Sequence, residues 1–238
     1  MIQFYSPDIE TTLCLPESDS QHCCRVLRME TGDEVFVVDG KGHRFTCRLL
    51  DNHPKHTSVE IVGREDIFPI WSNHITLMVA PTKNMDRMEW LVEKATEVGI
   101  NCIVPVRCRY SERKEIKRER LEKIAVSAMK QSLKAVLPEI TEMMPLDKAV
   151  EAFTAPQQYV GYCSESIPRA LLSHCYRPNE DVIILIGPEG DFSPEEIAAL
   201  IERGYKPVSM GDNRLRTETA ALVGITTCHI VNQLSERL

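Results

Sequence analysis

Two loops in the last third of the chain place glycines and charged residues directly before a helix start. The first, Gly187-Pro188-Glu189-Gly190-Asp191-Phe192, follows the apolar run Val182–Ile186. It precedes Ser193-Pro194-Glu195-Glu196, which joins an N-cap serine, a proline at the first helical position and a capping-box glutamate. Two glycines here let backbone approach a ligand closely, although the same residues also suit a bare strand-to-helix turn. The second loop, Met210-Gly211-Asp212-Asn213-Arg214-Leu215-Arg216, leads into Thr217-Glu218-Thr219-Ala220-Ala221-Leu222. Thr217 is expected to cap that helix, whose free N–H groups could hold a carboxylate or a phosphate beside the fixed charges of Arg214 and Arg216. The alternative is that these arginines only solvate a surface turn.

Other chemistries lack their residues. No GxGxxG follows an early strand, no GxxxxGK[ST] occurs, and there is no HExxH or paired Cys/His cluster. The seven histidines are isolated, so no metal is assigned. Nine cysteines, an odd number scattered without a CxxC pair, predict reduced thiols in a cytoplasmic protein. The longest apolar stretch of strand character, Val182–Ile186, is far short of the roughly 20 residues of a membrane helix, and the start MIQFYSPDIE has no signal pattern. No membrane partner and no export are expected.

These loops need a scaffold, and 238 residues with 43% apolar and 26% charged content suffice for one large or two modest globular domains. From Gln3 to Val62 the chain reads as short alternating segments broken by turns: Glu34–Val38, the turn Asp39-Gly40-Lys41-Gly42, Arg44–Leu50 and Thr57–Val62. Asp66–Trp71 reads as a linker, with a domain boundary near residue 72. Beyond it strands and helices alternate: Ile75–Ala80, helix Asp86–Val98, Ile100–Val106, a long helix from about Glu115 to Leu133, a short helix near Leu146 and Gln158–Cys163. There follow Val182–Ile186, helix Pro194–Arg203, Lys206–Met210 and a last helix from Thr217. This is an α/β pattern with a mainly parallel sheet, in which ligands bind at the carboxyl ends of the strands.

The net charge of −7 hides one basic stretch, residues 107–134, with ten basic against four acidic side chains. Such a patch suits phosphate binding and keeps an RNA partner open. The alternative is a solvated amphipathic helix whose cations pair with Glu112, Glu115, Glu119 and Glu122.

IGPEGDFSPEEI (186–197), followed by MGDNRLRTETAAL (210–222), resembles the paired signature of the RsmE family, the 16S rRNA uracil(1498)-N3 methyltransferases of the SPOUT class. His22 with Val26-Leu27-Arg28, Gly32-Asp33 and Asp39-Gly40-Lys41-Gly42 resemble that family's PUA-like domain. Lys83, Asp86-Arg87-Met88-Glu89, Lys94-Ala95-Thr96-Glu97-Val98-Gly99 and Gln131-Ser132 resemble the start of its catalytic domain. Asp191 stands where a second glycine is usual, Asn213 where an arginine is usual, Lys130 where an acid is common and Gln3 where an arginine is frequent.

The resemblance implies a small β-rich PUA-like β-barrel RNA-binding domain over 1–71 and a SPOUT-type α/β methyltransferase domain with a deep trefoil knot over 72–238. It implies S-adenosyl-L-methionine as cofactor, held by Ile186, Gly187, Glu189 and Gly190 on one side and Met210, Gly211, Leu215, Arg216 and Thr217 on the other. The expected partners are 16S rRNA in the assembled small ribosomal subunit and a second copy of the chain.

N3 of uracil carries a proton near neutral pH, so the site must remove it or stabilise the anion. Arg216 is the candidate for stabilising the anion, since guanidinium cannot act as a base. Glu218 is a candidate proton acceptor, with complementing the positive end of its helix as the alternative. Candidate RNA contacts are Arg25, Arg28, Lys41 and Arg44 in the first domain and Arg109, Arg113 and Lys114 in the basic stretch. The competing functions are an enzyme of the same class that methylates another RNA position or a 2′-hydroxyl, and a non-catalytic RNA-binding ribosome assembly factor that keeps the fold.

Overall fold

The computed structural model describes residues 2–163 and 167–235. The elements run β1 (Gln3–Tyr5), α1 (Ile9–Thr12), α2 (Glu17–Gln21), a π-turn His22–Val26, β2 (Glu34–Val38), β3 (His43–Leu49), β4 (Val59–Asp66), β5 (Ile75–Val79) and α3 (Met85–Val98). They continue with β6 (Cys102–Arg107), α4 (Arg118–Gln131), β7 (Glu139–Ile140), β8 (Met144–Pro145), α5 (Leu146–Ala152), β9 (Gln157–Gly161), β10 (Ala170–Leu171) and α6 (Leu172–Cys175). The last are β11 (Val182–Ile186), α7 (Pro194–Glu202), β12 (Lys206–Ser209) and α8 (Thr217–Ser235). β4 runs through Asp66, past the expected strand end at Val62 and into the first residue of the expected linker.

Two compact units result, Met1–Ile70 with Val126–Leu137, and Trp71–Ala125 with Pro138–Leu238. The first is therefore not one continuous stretch. Its sheet has the order β1-β2-β3-β4, over a core of Phe4, Val35, Val37, Phe45, Leu49 and Val59. Among the described residues no β4–β1 ladder closes this sheet into the expected barrel, because β1 is three residues long and the edges are covered otherwise. Leu15 N donates to Thr57 O and Val59 N to Leu13 O, each at 2.9 Å. At the other end Gln3 Nε2 reaches Lys134 O at 2.8 Å. The end of α4 joins the same unit: Lys130 Nζ lies 2.6 Å from the buried carboxylate of Asp19, and Met129 packs with Val38 and Ala135.

The second unit is built on a parallel sheet in the order β10-β12-β9-β11-β5-β6-β7. Its central strands, Val182-Ile-Ile-Leu-Ile186 and Ile75-Thr-Leu-Met-Val79, are buried at every position. A continuous apolar run is what a parallel strand covered on both faces requires. Chain order alternates across the sheet, so β11 lies between β9 and β5, with Ile186 opposite Gly161 on one side and Val79 on the other. The loops after β5, β6, β9, β11 and β12 consequently emerge at one end.

All nine cysteines are free thiols. Burial pushes Cys102 and Cys228 up to about 12, which leaves them protonated and inert at neutral pH.

Candidate functional site

A cavity of about 270 Å³ opens at the carboxyl ends of β9, β11 and β12. Ile186, Gly187, Glu189, Met210, Gly211, Leu215, Arg216 and Thr217 all line it, so the two glycine loops form opposite walls of one site. The first loop is fixed by the expected capping box: Glu196 N donates to Ser193 Oγ at 3.2 Å, and Ser193 N donates to Glu196 Oε2 at 2.9 Å. Lys83 N donates to Glu189 Oε1 at 3.0 Å, tying this loop to the exit of β5. In the second loop Gly211 has φ +129°, a conformation that favours glycine. Its N–H donates to Ser209 Oγ at 3.0 Å, and the same hydroxyl donates to Gly211 O at 2.8 Å.

Thr217 does not cap α8; it is the first helical residue, and its hydroxyl donates to Gly187 O at 3.1 Å. That bond ties the two loops together. Gly187 is required by space, because a Cβ there would lie 2.8 Å from the Phe192 ring, and Phe192 is buried.

Two expected site residues lie outside the wall. Gly190 backs onto Tyr110, whose Cβ would be 3.2 Å from a Cβ added at the glycine. Glu218 is buried in the first turn of α8, with Oε1 3.8 Å from Arg87 Nε and Oε2 without a hydrogen-bond partner among the described residues. It does not reach the cavity because its neighbours Thr217 and Ala220 occupy the cavity-facing side of the helix.

Sequence reasoning missed the third wall, Gly161, Tyr162 and Cys163 at the end of β9 with Arg169, whereas Asp191, Asn213 and the expected Arg214 come from the two loops and line the cavity as well. A Cβ on Gly161 would lie 2.7 Å from Ile186 Cδ1. Asp191 adopts φ +62°, and its carboxylate accepts from Phe192 N at 2.9 Å and Cys163 N at 3.1 Å. The Cys163 thiol is raised by burial and then by the Asp191 charge, opposed by Arg169 and Arg214. The cavity therefore combines apolar cover (Ile186, Met210, Leu215), glycine backbone at the buried Gly187 and the exposed Gly211, and charges of both signs.

The candidate RNA contacts are dispersed in environment. Arg25, Arg28, Lys41 and Lys114 are exposed. Arg44 pairs with Glu65 at 2.7 Å and lies over the Phe36 ring, and Arg109 pairs with Glu195 at 3.2 Å. Arg113 donates to Thr82 O and Lys83 O at 3.3 and 2.7 Å, so it braces the β5 exit.

Comparison with known proteins gives a consistent result. The RNA methyltransferase domain family matches residues 70–229, and the RNA methyltransferase PUA domain matches 15–62. The ribosomal RNA small subunit methyltransferase E of Aquifex aeolicus is 31% identical over 92% of this chain and 95% of its own length. Among solved structures, the probable rRNA-methyltransferase of Porphyromonas gingivalis is 41% identical with a TM-score of 0.94, covering 99% of this chain and 100% of that one. The ribosomal RNA small subunit methyltransferase E of Neisseria gonorrhoeae, bound to S-adenosyl methionine, is 25% identical with a TM-score of 0.83, covering 97% and 98%.

Proposed function

The chain belongs to the RNA methyltransferase family and, within it, to the S-adenosylmethionine-dependent ribosomal RNA small subunit methyltransferases E, and from that premise we propose that it methylates N3 of one specific uridine of 16S rRNA. The observation that carries this reading is the single cavity formed by the two glycine loops, with Arg216 on its wall. The residues present fit the cofactor. Ile186, Met210 and Leu215 would cover its ring, the backbone at Gly187 and Gly211 would meet its polar edges, and Glu189 and Thr217 already order the loops that surround it. When bound, S-adenosylmethionine supplies an electrophilic methyl group on a sulfonium.

The protein's own share is positioning and electrostatics. N3 lies on the Watson–Crick edge, so the target uridine has to be unpaired or extruded before it enters the site. Arg216 then stabilises the negative charge that develops as the N3 proton leaves. For Glu218 the burial away from the cavity and the approach to Arg87 support a positioning role: its charge complements the positive end of α8 and holds the helix start that carries Arg216. Glu218→Gln is accordingly expected to keep a single-turnover methylation rate within about threefold of wild type while lowering stability by about 1 kcal/mol. A rate loss of 100-fold or more in a folded variant would return the proton-acceptor role to Glu218.

The same reading includes the deep trefoil knot of the SPOUT class, a homodimer and the assembled small subunit as substrate. Exposed Trp90, Ile230 and Leu234, on the mutually packed α3 and α8, support a second copy as partner. Exposed Arg25, Arg28, Lys41 and Lys114 support phosphate contacts. With about four or five such contacts, RNA affinity is expected to fall on the order of 100-fold between about 50 and 200 mM salt. Filter binding over that range checks it, and a flat profile would remove these cations from the interface.

The deciding experiment is transfer of labelled methyl from S-adenosylmethionine to small subunits lacking the modification, followed by nucleoside mass spectrometry. The expected product is 3-methyluridine. RNA binding without transfer would instead favour an assembly factor.

A further inference from the structure

One peptide group on the cavity wall is gripped from both ends by opposite charges. The carbonyl of Tyr162 accepts from Arg169 Nη1 at 2.7 Å, and the N–H of the same peptide, on Cys163, donates to Asp191 Oδ2 at 3.1 Å. Tyr162, Cys163, Arg169 and Asp191 all line the cavity. The peptide lies just beyond Gly161, where β9 ends its pairing with Ile186, and Tyr162 N makes the last bond to β12, to Val208 O at 3.4 Å.

We propose that Arg169 and Asp191 are positioning residues that pin the 162–163 peptide as a strut and thereby set the cavity width on which cofactor affinity depends. The proposal rests on the S-adenosylmethionine reading of the same cavity.

Asp191 meets two demands at once. Its φ of +62° turns the loop, with Asp191 N donating to Pro188 O at 2.9 Å, and aspartate is among the few side chains that adopt this conformation readily. The turn directs the carboxylate to Phe192 N, in its own loop, and to Cys163 N, at the exit of the neighbouring strand. Glycine would satisfy the turn but would leave Cys163 N without its anionic acceptor. Hydrogen bonds to charged groups are the stronger class, and both ends of this peptide have one. Because the two bonds meet on one rigid planar unit, loss of either frees the same segment, and their effects should not multiply.

Calorimetric titration of the full-length protein with S-adenosylmethionine and S-adenosylhomocysteine tests this. Asp191→Ala and Arg169→Ala should each raise Kd about tenfold, and the double variant well under the 100-fold of independent sites. Asp191→Asn, which keeps both the turn and an acceptor oxygen, should lie within about threefold of wild type. Asp191→Gly, which keeps only the turn, should behave like alanine. Alkylation of the exposed Cys163 at alkaline pH should be faster in Asp191→Gly than in Asp191→Asn, a readout independent of ligand.

An Asp191→Gly protein with wild-type Kd overturns the strut, as does full multiplication of the two alanine effects. Should Asp191→Ala fail to fold, the asparagine and glycine pair decides alone. Wild-type protein that binds neither ligand overturns the cofactor reading instead, and the alkylation rates still report on the peptide.

Discussion

Arg216→Ala is expected to lower the single-turnover rate of methyl transfer by about 10²–10³-fold, the usual cost of removing one preorganised donor from a developing anion. The loss should fall on the chemical step. The apolar cover from Ile186, Met210 and Leu215 remains, so Kd for S-adenosylmethionine should move only a few-fold. The pH profile separates this role from simple loop damage. Without the guanidinium the rate depends on solvent to ionise N3, so it should climb steeply as pH rises from 7 to 9, while the wild-type profile stays flatter. A variant that loses cofactor binding and rate in parallel, with an unchanged pH profile, would make Arg216 a cofactor ligand and leave the anion to another group.

The second large effect is on stability. Gly99 ends α3 with φ +124°, and a Cβ added there would lie 2.5 Å from Trp71 Cζ3 and 2.6 Å from Cη2. The indole cannot step aside cheaply. Its Nε1 donates to Asn101 Oδ1 at 2.9 Å, and that oxygen also accepts from Ile75 N at 3.0 Å. The ring packs edge-on against His229 at 5.1 Å, whose Nε2 is 2.8 Å from Gly99 O. Gly99→Ala therefore combines a strained backbone with overpacking and should cost about 3–5 kcal/mol. In thermal denaturation that is a drop of roughly 10 °C. In a Trp71→Ala background the same substitution should cost only the backbone part, about 1–3 kcal/mol. Equal costs in both backgrounds would show that the indole is not the obstacle.

Local signals in the chain were sufficient where the physics is local. Val182–Ile186 is found with the expected bounds, and Ser193 and Glu196 make the expected capping box, because strand run, N-cap and capping glutamate act within a few residues. Short elements escaped: α1 and α6 span four residues each, too few for a helical period to show. The missed part of the cavity is non-local. Gly161 is opposite Ile186 only because β9 and β11 pair in parallel across 25 residues of chain, and nothing in Gly161-Tyr162-Cys163 itself announces a wall. Thr217 was legible as a helix-start residue, but its bond to Gly187, 30 residues away, was not. Arg113 shows the same limit in the basic stretch, where the sequence displays charge while the fold commits it to two carbonyls.

The pairing of residues 126–137 with the first 70 has a consequence for how the protein is made. On an elongating ribosome, the N-terminal sheet emerges without Met129 and Ala135 against Val38, without Lys130 for the Asp19 carboxylate, and without Lys134 to accept from Gln3. About 67 further residues separate Ile70 from Leu137, which at ~5–20 residues per second is a wait of roughly 3–13 s. During that interval strands β5 and β6 of the second unit are already synthesised. The main core of the N-terminal sheet, drawn from residues 4–59, is complete before that wait ends, but its Val38 side stays open until residues 126–137 arrive, and a gene cut after codon 70 would encode a fragment with that side uncovered.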